Sequence, residues 1–123
     1  MKVLVVDDDA AIRFVLAGML EDLGHEVVAS VSNESSALEA YVEKRPDLVT
    51  LDLNLSGAAD GSGGLAVLRG LRKLNANVNV IVVSGSSQAR ARTLLRQAGA
   101  VGFVDKPIRT EALVQAISKV THA

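Results

Sequence analysis

Five short apolar runs alternate with five amphipathic helical patterns along this chain, and no other feature limits its fold as strongly. The runs are rich in β-branched residues, which favours strands, whereas the segments between them repeat apolar residues at helical spacing. Strands that are apolar throughout are covered on both faces, and helical crossovers join parallel neighbours. The sequence therefore predicts an α/β fold, a five-stranded parallel sheet with helices on both faces in the order (βα)5.

The boundaries of these elements follow from periodicity, prolines and caps. The predicted strands span residues 2–6, 26–30, 47–51, 78–83 and 101–104. The predicted helices span about 12–23, 33–44, 64–74, 91–98 and 110–120, with Asp9 capping the first and Thr110 capping the last. One domain over residues 1–123 accounts for all of these elements, since no repeat or linker divides the chain.

Composition narrows the classes of function. Hydrophobic residues make up 49% of the chain, enough to bury a core. Cysteine is absent, which excludes disulfides, thiolate metal sites and cysteine nucleophiles, and we expect a cytoplasmic location. The apolar stretch after Met1 is too short for a signal peptide or a membrane span, so no membrane association is predicted. With 13 basic and 14 acidic side chains, no direct contact with nucleic acid is predicted either.

Polar side chains follow four of the five predicted strands. They are Asp7, Asp8 and Asp9 after the first strand, Asp52 after the third, Ser84 after the fourth and Lys106 after the fifth. The carboxyl ends of parallel strands meet at one edge of a sheet, where ligands bind. Helix capping explains Asp9 but not the other acids, because clustered carboxylates repel each other and lose hydration, which should raise at least one carboxyl pKa. A bound cation would relieve this repulsion.

The chemistry of this predicted edge favours phosphoryl transfer. Carboxylate oxygens without His or Cys nearby suit Mg²⁺ completed by water and phosphate oxygens. Lys106 supplies a mobile charge that can pair with a carboxylate in one state and a phosphoryl oxygen in another. Ser84 offers a hydroxyl donor to the same oxygens. Phosphoryl transfer needs these parts: an attacking oxygen, a metal and fixed donors around the transferred group.

In this order, the acid pair, Asp52, Ser84-Gly85 and Lys106-Pro107 resemble the response-regulator receiver domains of two-component signalling over essentially the whole chain. The resemblance implies a flavodoxin-like receiver fold and a phosphorelay function, in which Asp52 accepts a phosphoryl group from a sensor histidine kinase or a histidine phosphotransfer protein. It also implies that Asp8 binds Mg²⁺ directly, that Asp7 binds it directly or through water, and that the backbone carbonyl of Asn54 is a further ligand.

The same resemblance assigns a switch. Ser84 and Lys106 would contact the phosphoryl oxygens, the Lys106-Pro107 bond would be cis, and Phe103 would be the switch aromatic that couples the site to an output surface on the fourth helix, fifth strand and fifth helix. An aromatic within an apolar strand is otherwise an ordinary core residue, and this reading of Phe103 stays open. Asn54 and Ser86 would flank an attacking water, which implies fast autodephosphorylation.

One segment departs from the family. Ser56 stands where receivers have a proline, and the Gly-rich stretch to Gly64 lengthens the path to the third helix. Glycines are expected to widen the range of backbone conformations there. Residues 61–66 also fit a relaxed G-x-G-x-x-A dinucleotide pattern, but they do not directly follow a strand, so we interpret the segment as an insertion.

Two other functions are considered. An aspartyl-phosphate phosphatase of the haloacid-dehalogenase type uses similar residues, but its nucleophile follows the first strand and a second Asp lies two residues on, where this chain has Asn54. A degenerate receiver would act as an unphosphorylated docking module. The chain itself is interpreted as a stand-alone regulator or as a receiver taken from a larger hybrid kinase or transcription factor.

Overall fold

The computed structural model describes residues 1–57, 60–85 and 89–121 of the chain. Within them, strands and helices alternate as β1 (Lys2–Val6), α1 (Ala10–Asp22), β2 (Glu26–Val31), α2 (Glu34–Lys44), β3 (Leu48–Asp52), α3 (Ser62–Leu74), β4 (Val80–Ser84), α4 (Ala89–Gln97), β5 (Gly102–Asp105) and α5 (Thr110–Thr121). All strand pairs are parallel, in the order β2-β1-β3-β4-β5. The predicted fold class is confirmed.

The sheet separates two apolar clusters because successive side chains of a strand point to opposite faces. On β1, Leu4 and Val6 pack with residues of α2, α3 and α4, whereas Val3 and Val5 pack with residues of α1 and α5. All four of these side chains are essentially unexposed. The helices therefore cover both faces, and none of the described helices is long and apolar enough to cross a membrane.

The strand order fixes the position of a ligand crevice. From β1 the chain goes through α1 to β2 on one side, and from β2 it returns through α2 to β3 on the other side. The carboxyl ends of β1 and β3 therefore lie at the switch point, where open α/β sheets bind ligands. Asp7 follows β1 and Asp52 ends β3, so the topology brings these two residues together.

Of the two predicted helix caps, one is found as predicted and the other is displaced by one residue. Asp9 is confirmed as the N-cap of α1, since its side chain accepts hydrogen bonds from the backbone N–H groups of Ala11 and Ile12. The prediction for Thr110 is wrong by one residue. The Leu113 N–H donates to the Arg109 carbonyl, so Arg109 holds the cap position and Thr110 is the first helical residue.

The segment between β3 and α3 is tighter than its glycine content suggests. A 3-10 turn spans Leu55–Gly57, and α3 begins at Ser62, two residues earlier than predicted. A Cβ atom at Gly63 would lie 1.8 Å from the Leu55 carbonyl oxygen, so the first turn of α3 lies directly against this turn. Ser56 has a φ of 67°, which the ring of proline cannot adopt. A proline at this position could therefore not adopt the backbone turn seen here.

Candidate functional site

Two buried carboxylates form the centre of the site. Asp7 and Asp52 are 2% and 3% exposed, and they follow Val6 and Leu51, which are partners in the β1–β3 register. Asp8 is exposed at the rim of the crevice. One carboxylate oxygen from each of these three residues lies within 4.8 Å of the others. The parallel sheet thus gathers the three acids at one edge, with different exposure to solvent.

Lys106 lies between the two buried carboxylates. Its Nζ is 3.2 Å from Oδ1 of Asp52 and 3.3 Å from Oδ2 of Asp7. The Lys106 backbone N–H donates to the Ser84 carbonyl at 2.8 Å, which ties the loop after β5 to the end of β4. The following Lys106–Pro107 peptide bond is cis, as the family resemblance implies. The loop therefore aims the ammonium group into the crevice.

Backbone donors orient both carboxylates. The Asp9 N–H donates to Oδ1 of Asp7 at 2.9 Å, and the Asn54 N–H donates to Oδ1 of Asp52 at 3.1 Å. The Arg13 guanidinium donates to the backbone carbonyl of Asp7 at 2.7 Å. The two backbone N–H groups hold carboxylate oxygens in place without neutralising them, so both acids keep the capacity to bind a cation, whereas the Arg13 bond fixes the backbone of Asp7.

The electrostatics of the site follow from burial and from these pairs. Burial raises the pKa of Asp7, and the neighbouring Asp52 raises it further, whereas the Asp9 N–H and Lys106 lower it; the net pKa is raised. Burial is the main cause of this raised pKa, and the charge of Asp52 adds to it. Burial alone would lower the pKa of Lys106, but the charges of Asp52 and Asp7 outweigh it, and the net pKa is raised. Lys106 is therefore a firmly charged ammonium that partly compensates the two acids.

Two buried polar atoms at this edge have no partner among the described residues. They are the Oγ of Ser84, a residue with 0% exposure, and the Oδ1 of Asn54. Ser84 lies one position beyond Val83, the register partner of Asp52. Buried polar groups without hydrogen bonds are uncommon, because they lose hydration without compensation. The Ser84 hydroxyl is thus a free donor beside the acids.

The donor set of the site fits a hard divalent cation. Asp7, Asp8 and Asp52 offer carboxylate oxygens within 4.8 Å of one another, and no His takes part in the cluster. Hard cations such as Mg²⁺ prefer oxygen ligands and complete their shell with water. The acidic cluster could therefore hold such an ion.

Phe103 lies on β5 beneath Arg92 and Arg96, which are not among the residues predicted from the sequence. The guanidinium carbons of Arg96 and Arg92 are 4.8 and 5.7 Å from the centre of its ring. Arg92 also forms an ion pair with Asp105. Phe103 is half-buried and packs against the α2–α3–α4 cluster. The spacing of four residues between the arginines was a sequence signal for one helical face, but only the fold shows what they cover.

Ser86, which was predicted to flank the attacking water with Asn54, lies outside the described residues. The same holds for part of the Gly-rich insertion, residues 58 and 59. Every other site residue singled out from the sequence lies at the carboxyl edge of the sheet, in β5 or in the loops that follow the strands.

Comparison with known proteins gives consistent results. The profile of the response regulator receiver domain matches residues 3–118. The chain is 33% identical to the chemotaxis protein CheY of Bacillus subtilis, covering 98% of each protein, and 36% identical to the response regulator GacA of Pseudomonas aeruginosa, covering 98% of this chain and 55% of that protein. The crystal structure of the NtrX receiver domain from Brucella abortus superimposes with a TM-score of 0.88 at 32% identity, covering 98% of both chains.

Proposed function

Because this chain belongs to the response regulator receiver family, we propose that Asp52 accepts a phosphoryl group from a phosphohistidine of a sensor histidine kinase or of a histidine phosphotransfer protein. The observation that supports this most directly is the surroundings of Asp52. It is buried at the end of β3, close to two other acids and 3.2 Å from the Lys106 ammonium. An ordinary structural aspartate has no need of such an arrangement.

The proposed step forms a bond between a carboxylate oxygen of Asp52 and phosphorus as the bond from phosphorus to the histidine nitrogen breaks. The electron pair of that bond returns to the imidazole. Asp7 and Asp8, with the carboxylate of Asp52 and the backbone carbonyl of Asn54, would bind Mg²⁺, which supplies positive charge to the transferred group. Lys106 and the unpaired Ser84 hydroxyl would donate to the phosphoryl oxygens.

We also propose that Ser84, Lys106 and Phe103 form the switch. Lys106 exchanges Asp52 and Asp7 for a phosphoryl oxygen, the Ser84 hydroxyl gains its missing partner, and Phe103 changes its burial beside Arg92 and Arg96. The surface of α4, β5 and α5 would then contact an output domain or protein. With beryllofluoride and Mg²⁺ as a phosphoryl mimic, amide shifts around Phe103 should move in the wild type and stay in place in Lys106→Ala, which should accept phosphate more slowly. Unchanged shifts in the wild type would exclude this coupling.

Autodephosphorylation is expected to lie in the faster part of the family's range. The residue types support this: neither Asn54 nor Ser86 has a bulky or cationic side chain, and Asn54 is partly exposed. The loss of label after removal of the donor measures this rate. A phosphoryl group that lasts for hours without a phosphatase would contradict it.

The central experiment is incubation with acetyl phosphate and Mg²⁺, followed by intact-mass measurement. We expect one acid-labile phosphoryl group in the wild type, none in Asp52→Asn, and one in the control Asp22→Asn, which removes an exposed carboxylate at the end of α1. Stoichiometric labelling of Asp52→Asn would disprove the assignment. A phosphatase would instead turn over external substrates, and a docking module would do neither. We place this chemistry in the cytoplasm, which remains a prediction.

A further inference from the structure

A groove runs between α2 and α3 on the face of the molecule away from α1 and α5. Its volume is about 880 Å³, and its apolar lining comes from both helices: Leu38, Val42, Ala66, Gly70 and Leu74. Val42 and Leu74 are 50% and 42% exposed, which is high for side chains of this size. Together these residues form a continuous apolar strip, whereas isolated exposed apolar side chains need no explanation.

Close contact between α2 and α3 fixes the position of one helix relative to the other along the groove. A Cβ atom at Gly70 would lie 2.9 Å from Cδ2 of Leu38, so α2 and α3 meet where Leu38 packs against this glycine. Both helices follow parallel strands and lead back to the amino edge of the sheet, so they run in the same direction. Residues equally far from Leu38 and Gly70 along their helices therefore lie at the same level.

The two sides of the groove carry opposite charge. The α2 side presents Glu34, Glu39 and Glu43, and the α3 side presents Arg69 and Lys73. Among the described residues, the only ion pair of these five within 4.0 Å joins Glu43 to Lys44 of its own helix, at 3.7 Å. We call the two charged sides the acidic rim and the basic rim. Among the described residues, they lie on opposite sides of the apolar floor without forming ion pairs with each other.

This pattern is complementary to itself. If two copies are related by a two-fold axis that runs parallel to the groove in the contact plane, α2 of one copy lies over α3 of the other. Each residue then has the same position along the groove in both copies. From the Leu38–Gly70 contact, Glu39 and Arg69 lie about 3 Å apart in height at the helical rise of about 1.5 Å per residue, and the same holds for Glu43 and Lys73. Long side chains can bridge that offset, so each copy would offer two acids to two bases of the other.

We propose that this chain forms a two-fold symmetric homodimer through the α2–α3 groove, with apolar contact at the floor and Glu39 and Glu43 paired to Arg69 and Lys73 of the second copy. The contact is small, since a helix of 11 residues such as α2 is about 16 Å long. It lies below the size of standard stable interfaces, so the dimer is weak, forms at high protein concentration and loosens with salt.

The test uses sedimentation velocity over a range of protein concentrations in the Asp52→Asn background, so that the outcome does not depend on phosphorylation. With the wild-type residues in the rims, the sedimentation coefficient should rise with protein concentration toward that of a dimer. This rise should be smaller at high salt. Glu39→Lys with Glu43→Lys places basic side chains opposite Arg69 and Lys73 of the second copy. Arg69→Glu with Lys73→Glu places acidic side chains opposite Glu39 and Glu43, and Glu34 is unchanged in both variants. Each double variant should lose self-association by about tenfold or more, because like charges then face each other.

Two further samples test whether the α2 side of one copy pairs with the α3 side of the other. An equimolar mixture of the Glu39→Lys/Glu43→Lys variant and the Arg69→Glu/Lys73→Glu variant should form a heterodimer. The variant with all four substitutions should form a homodimer again. Val42→Asp should abolish association, whereas Phe14→Asp, which changes an 82% exposed side chain on α1, should leave it intact. A chain that stays monomeric at every concentration, or a dimer indifferent to the rim charges, would overturn the proposal and leave the groove to a helix of another protein.

Discussion

The pocket at the carboxyl edge of the sheet and the groove between α2 and α3 both carry acidic and basic side chains, but the two regions differ in how far these side chains are buried. In the pocket, Asp7 and Asp52 are almost fully buried and Lys106 lies 3.2–3.3 Å from both. In the groove, Glu39, Arg69 and Lys73 are exposed. Charges that have lost water depend on each other, whereas solvated charges interact weakly and matter mainly for recognition.

The largest effect is expected from removing the basic group that pairs with both buried carboxylates of the pocket. Lys106→Met keeps the aliphatic part of the side chain but leaves Asp7 and Asp52 facing each other without compensation. Truncating one partner of a fully buried ion pair costs about 3–5 kcal/mol; because the Lys106 side chain is 24% exposed and Asp7 can take up a proton, we expect about 2 kcal/mol here. Urea denaturation of the metal-free protein measures it.

Lys73→Met is the matched control on the groove, since it removes the same group from an exposed position. Its unfolding free energy should stay within about 0.5 kcal/mol of the wild type. If Lys106→Met and Lys73→Met destabilised the protein equally, burial would not separate the two regions.

Mg²⁺ should stabilise the folded protein through the pocket alone. An ion that binds only the assembled site adds RT ln(1 + [Mg]/Kd), about 1.4 kcal/mol at ten times its dissociation constant. The melting temperature should therefore rise with Mg²⁺ in the wild type and rise much less in Asp8→Asn. Glu39→Gln, which removes a groove carboxylate, should keep the full Mg²⁺ effect, and a loss of the effect in that variant would place the ion elsewhere.

A smaller effect separates Asp7 from Asp8 in the metal-free protein. The folded pKa of Asp7 lies above its ordinary value of 3.8, so the folded state binds this proton more tightly than the unfolded chain. The stability from this group is present below pH 3.8 and is lost as pH rises through the folded pKa. Asp7→Asn should thus stabilise the metal-free protein near pH 7, with the gain shrinking toward acid pH.

Asp8→Asn should stabilise the metal-free protein less, because Asp8 is exposed and keeps its hydration. Urea denaturation at several pH values compares the two variants. A larger gain in Asp8→Asn than in Asp7→Asn, or a gain in Asp7→Asn that grows at low pH, would reverse this assignment.

The smallest effects belong to the groove. Single neutral replacements, Glu39→Gln or Arg69→Gln, should change the unfolding free energy of the monomer by less than about 0.5 kcal/mol, since exposed charges contribute little. Thermal melts at low protein concentration, where the chain is monomeric, measure this. A change above 1 kcal/mol would mean that the rims pair across the groove within one chain.

Much of this architecture follows from local sequence. The alternation of apolar runs with helical periodicity was sufficient to predict the parallel sheet. The positions of polar residues after those runs were sufficient to predict the candidate site residues Asp7, Asp8, Asp52, Ser84 and Lys106. The reason is that strand burial and helix amphipathicity leave short-range patterns, and parallel strands bring their carboxyl ends to a single edge. The role of Asp9 as the N-cap of α1 could also be predicted from the sequence, because a cap acts within four residues.

Tertiary structure decided what depends on distant groups. Asp7 and Asp8 are adjacent acids, yet only Asp7 is buried, because it follows a strand that lies between β2 and β3 in the sheet. The glycine at position 63 indicated a loose loop in the sequence, but it serves a close approach to the Leu55 carbonyl. The sequence likewise did not show that Arg92 and Arg96 cover Phe103, or that the charged sides of the groove face each other. Burial, close packing and cross-element pairing arise between residues far apart in the chain, so only the folded arrangement specifies them.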